Sequence, residues 1–267
     1  MLRSNETLFV KQQYATNANL DARIALHEKF SVAPEAFHDW LFRHVDLPDD
    51  ARVLEIGCGS GALWERVRAK IPSAWQLTLS DFSFGMAQTV QQKFLDARFS
   101  FVNCDAQHLP FAAETFDGIF ANHMLYHVPN LDRALAELRR VLKRGGKLYA
   151  ATNGLGHMRE LGDLVSDVTR QPMQGEPPER IFGLENGEAI LSQHFENVAR
   201  LTQENSLRVT EIEPLVAYIK SGRMYQSAAE TALLEQTFRA RVQNEIDAHG
   251  AFHITKAVGM FVARREI

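Results

Sequence analysis

The chain has 267 residues, 45% of them hydrophobic, and its 29 Lys and Arg against 33 Asp and Glu give a formal charge of -4 at pH 7. This balance gives no general attraction to phosphate backbones or anionic lipids, and no run of about 18 apolar residues is present to span a bilayer. We therefore expect neither a nucleic-acid nor a membrane partner. The length of the chain predicts a single domain over residues 1–267. The first residues lack the apolar core of a signal peptide and only two cysteines occur, so we expect a cytoplasmic protein.

The predicted elements change character along the chain. Residues 1–45 have a helical pattern, and we expect them to form a lid. From residue 51 to 153, short apolar segments alternate with helical ones, which predicts a parallel sheet flanked by helices on both faces. Residues 154–185 hold a helix and a Pro/Gly-rich loop, predicted to be a substrate-side insertion. A helix near 186–195, a strand near 198–209, a helical stretch over 210–249 broken at 221–223, and a last strand over 252–265 are expected to follow.

A polar residue stands at the end of each predicted core strand. Because the carboxyl ends of parallel strands meet at one edge of the sheet, where open α/β sheets bind ligands, we expect these residues to lie close together. They are Glu55, Asp81, Asp105, Asn122 and Asn153.

The stretch VLEIGCGSGALW, residues 53–64, joins a strand to a glycine-rich turn. Gly57, Cys58 and Gly59 are placed to point backbone N–H groups at a ligand. The same spacing satisfies the dinucleotide signature G-x-G-x-x-G/A, with Ala62 in the last position. Glu55 distinguishes a dinucleotide site from a site for S-adenosylmethionine. A carboxylate would repel the diphosphate of a dinucleotide, but it suits a ligand with a cationic ammonium, as S-adenosylmethionine has.

The next two strand ends predict a nucleoside site. Asp81 follows the glycines at the offset where a carboxylate meets ribose hydroxyls. Phe82 is placed either to stack on a purine or to pack in the core. Asp105 is expected to accept the exocyclic amine of adenine, with the backbone N–H of Ala106 on a ring nitrogen. Each acid taken singly is also compatible with a helix cap or a turn.

Together, VLEIGCGSG, LTLSDFSFGM, NCDAQHLPF and FDGIFANHMLYHVPNLDRALAELRRVLKRGGKLYA resemble the successive motifs of class I S-adenosylmethionine-dependent methyltransferases over residues 51–153. The resemblance implies a Rossmann-like, doubly wound, seven-stranded sheet with its last strand antiparallel, and S-adenosylmethionine as cofactor. Arg144 stands where family members usually have proline. The resemblance places residues 51–153 as the cofactor-binding core, with the cofactor set Glu55, Gly57, Cys58, Gly59, Asp81, Phe82, Met86, Asp105, Ala106 and Asn122.

The segment NHMLYHVP follows the fourth core strand and is expected near the reactive end of the cofactor. Displacement of methyl from a sulfonium needs a base only if the nucleophile must lose a proton, and His123 is our candidate for that base. His127 is more typical of packing or hydrogen bonding. The two histidines are spaced i, i+4, as metal ligands can be, but no third ligand follows at a diagnostic interval, so we expect no metal.

The substrate-binding candidates are Tyr14, Arg23, His123, Tyr126 and Asn153. Tyr14 or Arg23 is also placed to hold the carboxylate of the cofactor, whereas a surface ion pair is the commoner fate of such an arginine. Asn153 is compatible with a simple turn, and Trp64 with core packing.

The leading hypothesis is methyl transfer to a small molecule enclosed between the N-terminal helices and the insertion. One alternative keeps S-adenosylmethionine but changes the chemistry to cyclisation or carboxymethyl transfer. Another is a non-catalytic binding module that retains the fold. The sequence leaves the acceptor atom and the oligomeric state open.

Overall fold

The computed structural model describes residues 18–170, 177–221 and 228–266, with only the backbone for residues 18–21 and 228–231. In this part of the chain, no helix combines the length and the apolar character needed to cross a membrane. The strands are β1 (Arg52–Ile56), β2 (Gln76–Asp81), β3 (Phe99–Asn103), β4 (Phe116–Asn122), β5 (Leu142–Asn153), β6 (Glu196–Gln203), β7 (Ser206–Val209), β8 (Phe252–Thr255) and β9 (Val258–Arg264). The helices are α1 (Ala18–Phe30), α2 (Phe37–Arg43), α3 (Ala62–Arg66), α4 (Phe84–Lys93), α5 (Leu131–Val141), α6 (Arg159–Thr169), α7 (Pro178–Ile181), α8 (Gly187–Leu191), α9 (Ile212–Lys220) and α10 (Ala228–His249).

The main sheet has seven strands in the order β3-β2-β1-β4-β5-β9-β6. Strands β1 to β5 pair in parallel, and β9 runs antiparallel between β5 and β6. The predicted Rossmann-like sheet with an antiparallel last strand is confirmed. The parallel strands all end at one edge of this sheet, which we call the binding edge.

The core strands read as apolar runs because helices cover both faces of the sheet. Val53 packs in a layer beneath α2, α3 and α4, whereas Leu54, its neighbour in β1, packs in the layer beneath α5 and α8. Polar side chains start two of the helices. Ser83 accepts a hydrogen bond from the Met86 amide at 3.4 Å at the start of α4, and Asn130 accepts one from the Arg133 amide at 3.0 Å at the start of α5.

Helices α1, α6, α9 and α10 form a cap over the binding edge together with the two-stranded sheet β7-β8. The cap has its own apolar core, which includes Leu26, Leu161, Leu215, Phe238 and Ile254. The sequence predicted a cover made of the N-terminal helices and residues 154–185 only. The structure adds residues 206–221 and 228–255, because α9 packs against α1 and α10 packs against α6.

The two C-terminal strand predictions need correction for the same reason. The expected strand near 198–209 is interrupted between Gln203 and Ser206, and the expected last strand is interrupted at Lys256 and Ala257. Each interruption lets the outer half of the strand leave the main sheet and join the cap as β7 or β8. The predicted break of the helical stretch at 221–223 lies partly outside the described residues.

Candidate functional site

The turn after β1 is shaped by glycines in the left-handed region. Gly57 has a φ of 67° and Gly61 a φ of 74°, values that side chains with a Cβ rarely adopt. Cys58 donates its backbone N–H to the Ser80 carbonyl at 2.9 Å. The Gly59 N–H donates to Asp81 Oδ2, also at 2.9 Å. The loop is therefore fixed against β2 at the binding edge.

Glu55, at the end of β1, is only 3% exposed. Its carboxylate accepts a hydrogen bond from Trp64 Nε1 at 2.6 Å and another from Asn122 Nδ2 at 2.9 Å. Burial raises the pKa of Glu55 to about 7, although these two hydrogen bonds oppose the rise. Trp64 is fully buried, as expected of a core residue. The hydrogen bond from its indole N–H to Glu55 was not indicated by the sequence.

Asn122, at the end of β4, is oriented by Glu55. Its Nδ2 donates to Glu55 Oε1 at 2.9 Å, so the amide oxygen points away from Glu55. That oxygen, Asn122 Oδ1, is buried and has no hydrogen-bond partner among the described residues. A buried acceptor without a donor is costly, so this atom marks a place where a ligand donor fits.

Asp81 ends β2 beside the glycine turn. Besides the Gly59 amide, it accepts a hydrogen bond from the Ser83 amide at 2.8 Å, so the carboxylate shapes both the turn and the start of α4. Burial raises its pKa, against the lowering effect of these two backbone bonds. Phe82, the next residue, is partly buried, and Met86, one turn into α4, is 1% exposed.

Asp105 lies in the turn after β3, next to the buried Ala106. Its two oxygens each accept a hydrogen bond from Gln107 Nε2 at 3.0 Å, and Oδ1 also accepts from the Gln107 amide at 2.9 Å. Gln107 was not among the residues predicted for this site. Its amide presents NH donors to Asp105 in the way expected of an adenine amine.

His123 follows β4 in an unusual conformation. Its φ is 54°, its N–H donates to the Ala151 carbonyl at 2.9 Å, and its ring lies 5.5 Å from that of Phe37. His127 is in a short 3₁₀ turn, Leu125–His127, with its ring 4.6 Å from that of Tyr126. The i, i+4 pair therefore does not share one helical face. The described residues contain no group of three or more His, Cys, Asp or Glu placed to hold a metal ion.

Four histidines and one lysine, which we call the basic cluster, converge at the binding edge. The cluster comprises His27 of α1, His38 of α2, His123 after β4, His157 after β5, and Lys256 between β8 and β9. Burial lowers the pKa of all four histidines, and the positive charge of Lys256 lowers each of them further, to about 3 for His27 and His123 and about 4 for His38. Burial also lowers the pKa of Lys256 to about 8.

No role was predicted from the sequence for His38, His157 or Lys256. His38 and His157 had only a weak signal, a position near a predicted lid or strand end. A stronger signal was available for Lys256, a cation inside the apolar run FHITKAVGMF. Backbone bonds hold this segment in place, from Met158 N to the Thr255 carbonyl at 2.9 Å and from Gly154 N to the Ala257 carbonyl at 3.1 Å.

Of the remaining predicted substrate residues, the structure describes Arg23, Tyr126 and Asn153. Arg23 donates to the Ser221 hydroxyl at 3.0 Å and to the Ser221 carbonyl at 2.9 Å, which links α1 to the end of α9. Asn153 ends β5 and accepts from the Leu184 amide through its carbonyl at 3.0 Å. Tyr126 is buried, and Tyr14 lies outside the described residues.

Residues 54–150 match the family model described as a methyltransferase domain. A relative among curated proteins is the methyltransferase GfsG of Streptomyces halstedii, 34% identical over 129 residues, which are 46% of this chain and 45% of that protein. The chain thus matches less than half the length of this relative.

Solved structures extend the likeness to the whole fold. A phosphoethanolamine N-methyltransferase 2 of Haemonchus contortus, in complex with S-adenosylhomocysteine, is 19% identical with a TM-score of 0.59, covering 100% of this chain and 61% of that one. The [4+2]-cyclase SpnF is 18% identical with a TM-score of 0.58, covering 100% of this chain and 98% of that one. At these identities the likeness establishes a shared fold.

Proposed function

We propose that this chain, whose residues 54–150 match a methyltransferase domain, is a class I S-adenosylmethionine-dependent methyltransferase that transfers a methyl group from S-adenosylmethionine to a small-molecule acceptor. The observation that carries the proposal is the buried Asn122 Oδ1, which lacks a donor among the described residues. It lies on the edge that also presents Asp81 and Asp105. The methionyl ammonium is a donor of the required kind.

The residues at the binding edge fit this cofactor. Glu55 fixes the Asn122 amide so that its oxygen faces a ligand ammonium, and the carboxylates add a negative field that favours a cationic donor. We assign the ribose hydroxyls to Asp81, and the adenine to Asp105 and the Ala106 amide. Gly57, Cys58 and Gly59 let the backbone approach the methionyl part, and Phe82 and Met86 are assigned to the walls of the site.

When bound, S-adenosylmethionine supplies an activated methyl group on a sulfonium. The task of the protein is to hold the acceptor in line and to exclude water, and the cap of α1, α6, α9 and α10 is positioned to do so. His123 is assigned as the base for acceptors that lose a proton, because it follows β4 at the binding edge and its ring is neutral at pH 7, although the same lowering of its pKa makes it a weak base in the free protein. Tyr126, Asn153 and Arg23 remain substrate-side candidates, and we place the reaction in the cytoplasm.

Two measurements test the proposal. Calorimetry with S-adenosylhomocysteine should show binding at one site per chain, and NAD should not compete for it. Mass spectrometry of candidate acceptors incubated with the protein and S-adenosylmethionine should then show a gain of one methyl group. Product of unchanged mass would favour cyclisation, and absence of any cofactor binding would favour a non-catalytic module.

Asp81 offers a graded test of the ribose assignment. Asp81→Ala should weaken S-adenosylhomocysteine binding by about 1 to 3 kcal/mol, because ribose hydroxyls lose their acceptor and the glycine turn loses its anchor. Asp81→Asn keeps one carbonyl oxygen for the turn and should lose less. Titration calorimetry on both variants checks this, and equal affinity in Asp81→Ala and the parent protein would refute the assignment.

His123 is best tested by asparagine, because asparagine tolerates the positive φ at this position far better than alanine does. His123→Asn should lower turnover about a hundredfold while the affinity for S-adenosylhomocysteine is kept, since only the proton acceptor is lost. His127→Asn, in the same turn, is the matched control and should keep most of the turnover. Full turnover in His123→Asn would leave positioning as the sole contribution of this residue.

A further inference from the structure

Lys256 is a buried cation for which the described residues supply no counter-ion. It is 8% exposed, and no hydrogen bond or ion pair to its ammonium is found among the described residues. A nearby carboxylate, Glu160, is already engaged by the Thr255 amide at 2.7 Å, the Thr255 hydroxyl at 2.6 Å and Arg159 at 3.1 Å. Removing an ammonium from water without a partner is expensive, so such a side chain is expected to await an anion.

Two ring nitrogens of the basic cluster give an independent indication. His27 Nδ1 and His157 Nδ1 are both buried and lack a hydrogen-bond partner among the described residues. The centroids of the two rings lie 5.6 Å apart, and the Tyr218 ring meets His27 edge-on with 5.8 Å between the ring centroids. Three polar side chains from α1, the loop after β5 and the β8–β9 break thus face one region with unused hydrogen-bonding capacity.

The position of the cluster separates it from the adenosyl part of the proposed donor site. Asp81 and Asp105 follow β2 and β3, on one side of β1, whereas Lys256 precedes β9, on the other side. With about 4.8 Å between neighbouring strands, Lys256 lies roughly 14 Å across the sheet from the glycine turn. The cluster therefore faces the space beyond the methionyl end, beneath the cap, where the acceptor has to enter.

We propose that the acceptor is an acid, and that its carboxylate or phosphate group binds Lys256 within the basic cluster. The inference rests on the proposed function and narrows its substrate class. An anionic oxygen group supplies the missing counter-ion and can accept an N–H bond from the His27 ring, in the tautomer that carries its proton on Nδ1. The same negative charge raises the pKa of His123 towards neutrality, which makes that ring a stronger base once the acceptor is in place.

The experiment uses the full chain with ¹³C-labelled histidine, recorded with and without S-adenosylhomocysteine. Sodium malonate and sodium phosphate are titrated in separate arms at constant ionic strength, which distinguishes a carboxylate from a phosphate preference. Histidine ring resonances of the cluster should shift with saturation in at least one arm. Lys256→Met should weaken this binding at least tenfold, Lys256→Gln should do the same, and Lys256→Arg should restore part of it.

Lys220→Met is the matched control, because Lys220 is exposed and paired with Glu235 on the outer face of the cap. It removes the same charge and should leave the anion titration unchanged. Lys256→Met should also resist urea better than the parent protein in anion-free buffer, since it removes an unpaired buried charge. Equal anion affinity in Lys256→Met and the parent protein would overturn the proposal.

Cofactor binding separates the two proposals. S-adenosylhomocysteine should bind Lys256→Met as tightly as the parent protein. A parallel loss of S-adenosylhomocysteine affinity would instead assign Lys256 to the carboxylate of the donor and would overturn the acceptor assignment. If the parent protein binds anions through Lys256 but does not bind S-adenosylhomocysteine, the methyltransferase proposal fails while the anion site stands.

Discussion

Gly57→Ala should abolish measurable binding of S-adenosylhomocysteine and lower the free energy of unfolding by about 2 to 5 kcal/mol. The φ of 67° at this residue costs an alanine about 1 to 2 kcal/mol. The added Cβ would also lie 2.8 Å from Met124 Cβ and 3.0 Å from Met124 Cγ, and such overpacking costs about 1 to 3 kcal/mol. Relief of this contact requires the turn to move, which displaces the amides proposed to face the cofactor.

Gly162→Ala is the matched control for that variant. Gly162 lies inside α6, and a Cβ added there meets no heavy atom within 4 Å. Helix propensity then predicts a stability gain of about 0.5 to 1 kcal/mol with unchanged cofactor affinity. Urea unfolding and titration calorimetry on both variants give the comparison. Parent-like cofactor affinity in Gly57→Ala would show that the glycine turn does not contact the cofactor.

Acid should destabilise the folded protein. As pH falls below 6.5, the protein should lose stability at about 3 kcal/mol per pH unit until it unfolds. The folded-state pKa values of His27, His38 and His123 are lowered from 6.5 to about 3 or 4, and that of His157 is lowered as well. These rings take up protons only when the chain unfolds, so protonation favours the unfolded state from pH 6.5 downwards. Each contributes about 1 kcal/mol over the first pH unit below 6.5, less than the full value of about 1.4, because the ring in the unfolded chain is only half-protonated at pH 6.5.

Glu55 acts in the opposite direction over part of this range. Its pKa is raised from 4.5 to about 7, so it holds a proton in the folded chain that the unfolded chain releases, and it adds stability as pH falls from 7 to 4.5. Four histidines against one glutamate leave a net uptake of about three protons on unfolding. Lys256 changes nothing here, because it is protonated in both states below its folded pKa of about 8.

Urea unfolding at half-unit steps between pH 7.5 and 5 measures this slope. His38→Gln and His157→Gln should each flatten it by about 1 kcal/mol per pH unit, because one buried ring no longer takes up a proton. His249→Gln, at an exposed histidine at the end of α10, should leave the slope unchanged. A parent slope near zero would mean that the cluster is protonated in the folded protein, contrary to its burial without described counter-ions.

The core of the fold was predictable because the sequence encodes it locally. Each strand from β1 to β4 ends within a residue or two of a polar side chain or a glycine turn, and the topology of parallel sheets brings those ends to one edge. The positions of Glu55, Asp81, Asp105 and Asn122 at this edge follow from strand order alone. Arg144, which departs from the family pattern, precedes Gly145, whose φ of 74° still allows the chain to turn.

The partners of those residues were beyond the reach of local patterns. Whether Glu55 faces a ligand or a neighbour depends on how α3 presents Trp64 and how β4 presents Asn122, and both contacts arise only when the sheet is assembled. The extra cap segment has the same origin. A helical pattern over 210–249 says nothing about which apolar faces it will cover, because packing against α1 and α6 involves segments distant in the chain.

By itself, then, the sequence determined the sheet, its binding edge and the acids that line it, since periodicity and turn chemistry act between neighbouring residues. Only the tertiary structure decided that His27, His38, His123, His157 and Lys256 share one region, because their segments are joined by no short-range pattern and meet only through packing of the cap on the sheet. The physical reason is that burial, and with it the charge of a lysine or the basicity of a histidine, belongs to the assembled surroundings of a side chain.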